Sequence, residues 1–189
     1  YTIFDKKGEY RTTQSATMPL SFPPYQILVA TTMDELSACD AVRGSRFLES
    51  DGYLTEFDLK DRCATTHLLC LQGKIPVATL RIRFLFGTLI AWERLSVVKD
   101  ANPRIIFYII KAARQYCEAK GMSKVLGSVS NPKLKSFWQR QGATFTGELA
   151  KEIGGTMYEP MELALSPLPC PAENLLEQMD EDSFLQRTS

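Results

Sequence analysis

The feature that most constrains the fold is a series of three closely spaced strand patterns in the middle of the chain. Residues 66–72 are mostly apolar, and Gly73-Lys74 forms a hairpin turn before residues 76–86, where apolar and polar side chains alternate. Gly87 ends this run, and residues 89–98 have the pattern of a further strand. Consecutive strands joined by tight turns predict an antiparallel meander.

Helix signals lie on both sides of the meander. Thr32 and Glu35 have the spacing of a capping box, and the apolar side chains that follow recur every three or four residues until Gly52. Asn102-Pro103 and Asn131-Pro132 each combine an N-cap residue with a proline at the first helical position. The sequence therefore predicts one helix before the meander and two after it.

Short strand patterns complete the element order. They lie at residues 26–30 and 124–129, and in a final hairpin with strands at 145–151 and 157–165. The predicted order is β-α-β-β-β-α-β-α-β-β. This order indicates an α/β fold with one mixed, largely antiparallel sheet flanked by helices.

The same patterns divide the chain into three parts. Residues 26–165 contain the strand and helix signals and are predicted to form a single domain. Residues 1–25 are predicted to be an extended arm, and residues 166–189 a proline-rich and then acidic tail. No stretch approaches twenty apolar residues and no signal peptide opens the chain, so we expect a cytoplasmic protein without a membrane span.

Composition argues against several classes of function. The 22 basic and 22 acidic side chains give a net charge of zero, which disfavours a nucleic-acid or membrane-surface role for the whole protein. The single histidine, His67, excludes a His-rich metal centre and is expected to be structural. The cysteines are odd in number and form no C-x-x-C pair, so we expect reduced thiols, mostly in the core: Cys39, Cys63, Cys70, Cys117 and Cys170.

The zero net charge conceals an asymmetry along the chain. Residues 34–61 carry eight acidic and three basic side chains, a balance of −5, whereas residues 101–140 carry eight basic side chains and one acidic, a balance of +7. Two interpretations remain open. The segments are either solvated helical faces of opposite sign, or surfaces for an amine and for a phosphate-bearing partner.

Three stretches of this sequence resemble the GNAT superfamily of N-acyltransferases. Residues 64–81 are similar to the family's second and third strands, residues 92–97 to the fourth strand, where the acyl donor binds, and residues 131–142 to the last helix. The resemblance covers residues 26–165. It implies acyl-CoA or acyl-phosphopantetheine as co-substrate, with no permanently bound cofactor or metal.

The sequence departs from the family pattern at two places. Residues 99–104 read Lys-Asp-Ala-Asn-Pro-Arg, without the glycines that let backbone N–H groups approach a pyrophosphate. Trp138 stands where many relatives carry the tyrosine that protonates the leaving thiolate, a proton that an indole cannot supply. Loss of the glycine loop is a feature of the branch of acyl-homoserine-lactone (autoinducer) synthases and long-chain N-acyl amino acid synthases, which use acyl carrier protein.

Similarity to that branch extends to the region expected to bind the amine acceptor. The residues concerned are Arg43 and Phe47 on the first helix, Asp58 and Asp61 after it, and Arg81 in the meander. The resemblance implies that they contact the acceptor. The residue types also allow an ion pair between Arg43 and Asp58 or Asp61, and an exposed edge position for Arg81.

Glu93 and Ser96 are the candidate catalytic residues. Glu93 lies inside an apolar strand, where a carboxylate is either paired, with Arg81 or Arg94, or acts as a general base with a pKa raised by burial. Ser96 and the neighbouring N–H groups are implied by the resemblance to hold the pantetheine and polarise the thioester. Donor binding is expected at Leu95, Val97, Val98, Lys99, Arg104, Ser130 and Asn131.

These observations favour an N-acyltransferase that moves an acyl group from a thioester donor to the amine of a small molecule such as an amino acid. The donor is either acyl-CoA or acyl carrier protein, whose acidic surface would suit the basic residues 101–140. The alternative is a catalytically silent module of the same fold that binds a ligand or partner. An enzyme requires the fourth and fifth strands to part at their ends, with Val97, Val98 and Ser130 at the border of the gap.

Overall fold

The described residues belong to two compact units, residues 2–4 and 10–12 to the first and those between 20 and 168 to the second. In the first unit, β1 (Thr2–Phe4) pairs antiparallel with β2 (Tyr10–Thr12). The predicted tail lies outside the described residues from residue 169 onward. The computed structural model describes residues 2–4, 10–12, 20–22, 24–50, 52, 56–61, 63–148, 150–153 and 156–168.

The second unit is built on one mixed sheet. Its strands are β3 (Leu20–Phe22), β4 (Tyr25–Val29), β5 (Thr65–Gln72), β6 (Ile75–Phe86), β7 (Leu89–Val97), β8 (Lys124–Val129), β9 (Ala143–Phe145), β10 (Lys151–Ile153) and β11 (Thr156–Ala164). They lie in the order β10-β11-β8-β7-β6-β5-β4-β3, and β9 also pairs with β11. Among the described strands only β7 and β8 pair in parallel. The predicted α/β fold and meander are confirmed, although the final hairpin contains three strands rather than two.

The three predicted helices are present as α1 (Met33–Arg43), α2 (Ile105–Ala119) and α3 (Pro132–Arg140). Thr32 and Glu35 form the predicted capping box. The first helix differs from the prediction because it ends at Arg43 and continues as the π-helical segment Gly44–Ser50.

The helices cover opposite faces of the sheet. Leu68 and Cys70 of β5 belong to the large core that includes α2 and α3, whereas Leu69 packs with Cys39 of α1, because successive strand residues point to opposite faces. Burial raises the pKa of Cys39 to about 11 and that of Cys70 to about 12. None of the described helices is long and apolar enough to cross a membrane.

The parallel pairing of β7 and β8 stops partway along both strands. Register pairs join Leu89 to Lys124 through Ala91 to Leu126, and no register pair follows them. The outer edges stay paired beyond this point, β7 with β6 as far as Val97 and β8 with β11 as far as Val129. Residues 92–97 of β7 and 127–129 of β8 therefore present unpaired edges to each other, and we call the space between them the fork.

Candidate functional site

A β-bulge shapes the part of β7 that borders the fork. Thr79 pairs with Ser96 and Arg81 with Glu93, so two β7 residues, Arg94 and Leu95, oppose one residue of β6. Arg94 has a φ of 55°, a left-handed conformation that is costly for a residue with a side chain. The Ser96 hydroxyl donates to the Arg94 carbonyl oxygen at 3.1 Å and is buried. The hydrogen of the Ser96 hydroxyl is thus already donated to a backbone oxygen within the bulge.

A cavity of about 640 Å³ lies at the end of β7. Three predicted donor-binding residues, Val97, Val98 and Lys99, line it together with the start of α2 and the π-helical segment. The remaining lining residues are Ser45, Arg46, Glu49, Ala101, Pro103 and Ile106. Ser130 is exposed at the end of β8, and the side chain of Asn131 accepts from the Lys133 N–H as the N-cap of α3.

The start of α2 offers few N–H groups for a phosphate. Pro103 has no N–H group, and five neighbouring N–H groups already donate to nearby oxygens. The pairs are Ala101 to Val98 O, Arg104 to Asn102 Oδ1, Ile105 to Asn102 O, Ile106 to Pro103 O and Phe107 to Arg104 O. A cradle of backbone N–H groups for a pyrophosphate is therefore largely used up. Lys99 and Arg104 are exposed and form no ion pair with any other described residue.

A buried ion network lies on the α1 face of the sheet, centred on Arg43. Its guanidinium is fully buried and donates from Nε to Glu56 Oε1 at 2.7 Å and from Nη1 to Asp61 Oδ1 at 2.5 Å. Arg94 Nε lies 2.7 Å from Glu56 Oε2, and Arg81 Nη1 donates to Asp61 Oδ1 at 2.7 Å. The ion pair between Arg43 and Asp61, one of the two interpretations of the sequence, is present.

Glu93 is held by two arginines of β6. Arg81 Nη2 donates to Glu93 Oε2 and Arg83 Nη2 to Glu93 Oε1, each at 2.7 Å. Burial by itself would raise the pKa of Glu93, but the hydrogen bonds and charges of Arg83 and Arg81 outweigh it and lower the pKa. The expectation of a raised pKa for this carboxylate is therefore wrong, because the sequence did not reveal both partners.

Three further groups in and beside the network, Asp61, Glu56 and His67, also have shifted pKa values. Burial opposes ionisation of Asp61, but hydrogen bonds from Arg43, the Asp58 backbone and Arg81 lower its pKa well below the ordinary range. Burial outweighs the pairing of Glu56 and raises its pKa. Burial lowers the pKa of His67, whose Nε2 lies 3.3 Å from the Asp61 carbonyl oxygen, so the neutral ring donates there.

The structure separates the predicted acceptor residues into two groups. Arg43 and Arg81 are buried and both pair with the nearly buried Asp61, while Arg43 also pairs with Glu56 and Arg81 with Glu93. Phe47 lies under the Arg94 guanidinium, with 5.6 Å between the ring centroid and Cζ. Asp58 differs from the other predicted acceptor residues because its side chain is 37% exposed, although its Oδ1 lies 3.4 Å from Arg81 Nη1.

The sequence pointed to Arg83 only as one of two strand arginines that are either exposed edge charges or clamps for a substrate carboxylate or phosphate. It included Glu56 in the motif shared with the synthase branch without giving it a role, and it assigned none to Lys60. Glu56 is the central carboxylate between Arg43 and Arg94, and Arg83 holds Glu93. The available signal was the alternation of Arg81 and Arg83 on one strand face, which places both guanidinium groups beside any carboxylate on the next strand.

Aromatic side chains pack at the closed end of the fork. The rings of Trp92 and Trp138 have centroids 6.4 Å apart, and Trp138 is buried. Gly127 is the first β8 residue beyond the last register pair, and a Cβ there would lie 2.7 Å from Met161 Cε. The Met161 methyl group thus occupies the space over Gly127.

Much of the charge in residues 101–140 is already engaged. Lys124 Nζ donates to Glu162 at 2.9 Å and Lys135 Nζ to Glu159 at 2.7 Å. Arg114 donates to two backbone carbonyl oxygens. Acidic side chains of β11 therefore balance part of the basic segment, a pairing that the local sequence does not show.

The low pKa of Asp61 predicts acid sensitivity of the fold. A carboxyl group whose pKa is lower in the folded than in the unfolded state contributes stability above its unfolded pKa, about 3.9, and that stability is lost as the pH falls further. Urea unfolding followed by tryptophan fluorescence between pH 7 and 3 should show a steep loss of stability below about pH 5. Asp61→Asn should cost about 3–5 kcal/mol at pH 7 and show a shallower decline.

Asp58→Asn is the matched control, because the Asp58 side chain is 37% exposed and lies 3.4 Å from Arg81. It should cost less than about 1 kcal/mol and keep the steep decline. An equal pH dependence for wild type and Asp61→Asn would contradict the assignment of acid sensitivity to Asp61.

No protein-family model and no curated protein sequence matches the chain. Solved structures do match its fold. An acyl-CoA N-acyltransferase from Pseudomonas aeruginosa aligns with a TM-score of 0.67 and 19% identity over 74% of this chain and 99% of that chain.

Two synthases also align with the chain. BjaI, a CoA-dependent acyl-homoserine lactone synthase in complex with SAM and isopentyl-CoA, has a TM-score of 0.65 and 16% identity over 82% of this chain and 88% of its own. FeeM, an N-acyl amino acid synthase from uncultured soil microbes, has a TM-score of 0.63 and 13% identity over 87% of this chain and 98% of its own. The mixed sheet and its flanking helices thus have the GNAT fold.

Proposed function

We propose that the protein is an N-acyltransferase that moves an acyl group from a thioester to the amine of a small molecule. The observation that carries this proposal is the fork. The β7 edge at residues 92–97 has no strand partner on the β8 side, and it leads to the cavity lined by Lys99. Backbone N–H and C=O groups along such an edge suit the amides of a pantetheine arm, which would pair like an added strand.

The reaction requires an amine, an oxyanion site and two proton transfers. The amine nitrogen attacks the thioester carbonyl carbon, the C–N bond forms, and the C–S bond breaks with release of the thiolate. Those N–H groups of residues 95–97 that face the fork would stabilise the oxyanion, whereas the Val98 N–H already donates to Val77 O at 3.0 Å. Trp138 is buried and its indole does not supply an acidic proton, so the thiolate would take its proton from water.

Glu93 is the proposed acceptor of the amine proton. It lies in β7 two residues beyond Ala91, the last residue paired with β8, and its side chain is 24% exposed. The arginines that lower its pKa keep it ionised at neutral pH, so it can take a proton directly or through water. A weak base of this kind must pass the proton on to solvent, which its partial exposure permits.

Glu93→Gln keeps the size of the side chain but removes the negative charge and the capacity to accept a proton. Turnover should fall about 10²-fold or more, while the Kd for the donor should change little. The measurement is thiol release from an acyl-CoA or acyl-phosphopantetheine with a panel of amines. Near-normal turnover of the variant across the pH range would remove Glu93 from the mechanism.

The structure of the donor end favours a donor held by its pantetheine arm and one phosphate. The N–H groups at the start of α2 are mostly engaged, so a pyrophosphate gains little there beyond the charges of Lys99 and Arg104. An acyl carrier protein presents a single phosphate, and these exposed cations would also attract its acidic surface. We therefore propose acyl carrier protein as the preferred donor and acyl-CoA as a usable one.

Titration with CoA and with phosphopantetheine tests both the fork and this preference. Both should shift the amide NMR signals of Val97, Val98 and Ser130, with Kd values within about tenfold of each other, a difference below about 1.4 kcal/mol. Lys99→Glu should weaken both, and Lys74→Glu, in the hairpin turn, should weaken neither. Absence of binding at millimolar concentration, about −4 kcal/mol, would refute the acyltransferase proposal.

The packing at the closed end of the fork supports a short acyl group. An acyl chain extending from the thioester along the fork meets Gly127 and the Met161 methyl group, backed by Trp92 and Trp138. This differs from the long acyl chains that the resemblance to long-chain N-acyl amino acid synthases implies. Methionine is flexible, so Met161 is the side chain most able to set the accepted length.

Met161→Ala should therefore extend the accepted acyl chain. Wild type should prefer donors with two to four carbons, and the variant should gain activity with six to eight carbons, at a stability cost of about 2–5 kcal/mol. Met161→Leu conserves volume and should keep the short preference. Equal rates of the wild type with two-carbon and eight-carbon donors would contradict this limit.

A second candidate function is a catalytically silent module that binds a ligand or partner. Two observations favour it: Trp138 replaces the usual proton donor and is buried, and both oxygens of Glu93 already accept from arginines. Donor binding without thiol release, across the panel of amines, would support this candidate over the enzyme.

A further inference from the structure

We propose that a second cavity, on the β6 side of the fork, binds the acceptor, and that the acceptor carries a carboxylate and an apolar side chain. The cavity has a volume of about 340 Å³ and is lined by Leu59, Lys60, Cys63, Ala64, Arg83 and Phe84. It shares no lining residue with the cavity at Lys99. The inference rests on the proposed acyl transfer and names its acceptor class.

The strand register places this cavity beside the fork. Arg83 pairs with Ala91 of β7, and Ala91 forms with Leu126 the last register pair before the fork opens. Adjacent strands lie about 4.8 Å apart, so Arg83 is one strand spacing from the closed end of the fork. Arg83 also holds Glu93, the proposed proton acceptor. A ligand bound at Arg83 can thus present its amine to the thioester.

Among the described lining residues, two cations give the cavity its charge. The side chain of Lys60 is 61% exposed, and its Nζ lies 3.9 Å from Asp58 Oδ2. Arg83 uses Nε and Nη2 for Glu93, and no described residue accepts a hydrogen bond from its Nη1. A carboxylate between Lys60 Nζ and Arg83 Nη1 would receive two charge-assisted hydrogen bonds.

The acids beside the cavity suit the other end of such a ligand. Asp58 and Glu93 are partly exposed, and each already lies next to one of the two cations. An ammonium group near these carboxylates would be stabilised before it loses its proton. The pattern of two cations and two acids matches an amino acid better than an uncharged amine.

The apolar side of the cavity comes from Leu59 and Phe84. Leu59 is 82% exposed and stands in a turn whose geometry is fixed by hydrogen bonds. The turn is held because Lys60 N–H donates to Asp58 Oδ1 at 2.9 Å and Thr65 Oγ1 donates to Lys60 O at 2.6 Å. An exposed leucine on a rigid turn beside a half-buried phenylalanine suits an apolar side chain.

Cys63 supplies a direct probe of this cavity that needs no turnover. It is exposed and lines the cavity, whereas Cys39, Cys70 and Cys117 are buried. The experiment measures the rate of labelling of Cys63 by N-ethylmaleimide in the full chain, with peptides mapped by mass spectrometry. Labelling of Cys170 in the same sample is the internal reference.

The ligands compared are N-acetyl-L-leucine and N-acetyl-L-leucinamide, which differ only in the carboxylate. N-acetyl-L-leucine at millimolar concentration should slow labelling of Cys63 at least threefold, and the amide should not. Lys60→Gln should abolish the protection, and Lys74→Gln, an exposed lysine outside the cavity, should preserve it. Equal protection by the amide, or no protection by the acid, would overturn the inference.

Kinetics separate failure of this inference from failure of the proposed function. If amino acids are acylated, Lys60→Gln should raise KM for L-leucine about tenfold and leave KM for L-leucinamide unchanged. Acyl transfer to amines without protection of Cys63 would refute the site and leave the acyltransferase standing. Protection of Cys63 without any acyl transfer would support the site and refute the acyltransferase.

Discussion

The arrangement around the fork depends on the burial of Arg43. A guanidinium with no exposed surface must be paired, because the desolvation free energy of an isolated buried charge exceeds the net stability of a domain. Its partners Glu56 and Asp61 come from the segment after the π-helical turn, and Asp61 also accepts from Arg81 of β6. One buried cation thus fixes the loop that carries Lys60 and Cys63 against the sheet, and with it the wall of the second cavity.

The bulge of β7 links this network to the fork. Arg94 adopts a left-handed conformation at the bulge, and its guanidinium lies against Glu56 and over Phe47. Glu93, one residue earlier, is held by Arg81 and Arg83. The network therefore packs against the stretch of β7 that borders the fork. One cavity lies at the end of β7, and the other is lined by Arg83 of β6. A donor in one and an acceptor in the other would meet at the closed end of the fork.

Ion pairs between residues distant in the chain also explain why some roles predicted from the sequence differ from those that the structure shows. Arg43 and Asp61 are 18 positions apart, and a helix and a turn must form before they meet, so their shared burial is not a local property. Glu93 has an apolar neighbourhood in sequence, which suggested a raised pKa. In the folded chain two arginines from the next strand reverse the direction of the shift. The exposed Lys60 and the partly exposed Arg83 become a candidate site only because β6 and the turn at residues 59–61 lie together.

The sequence by itself determined the order of elements from β4 to α3, the meander and the helix starts at Thr32 and Asn131, because strand alternation, turn residues and caps act over a few neighbouring positions. The resemblance of residues 64–81, 92–97 and 131–142 also indicated the GNAT fold before the structure did. Only the tertiary structure decided where β7 and β8 separate, which carboxylate each arginine holds and what fills the closed end of the fork. These features depend on contacts between segments distant in the chain, and their energies arise from burial and pairing that no local pattern records.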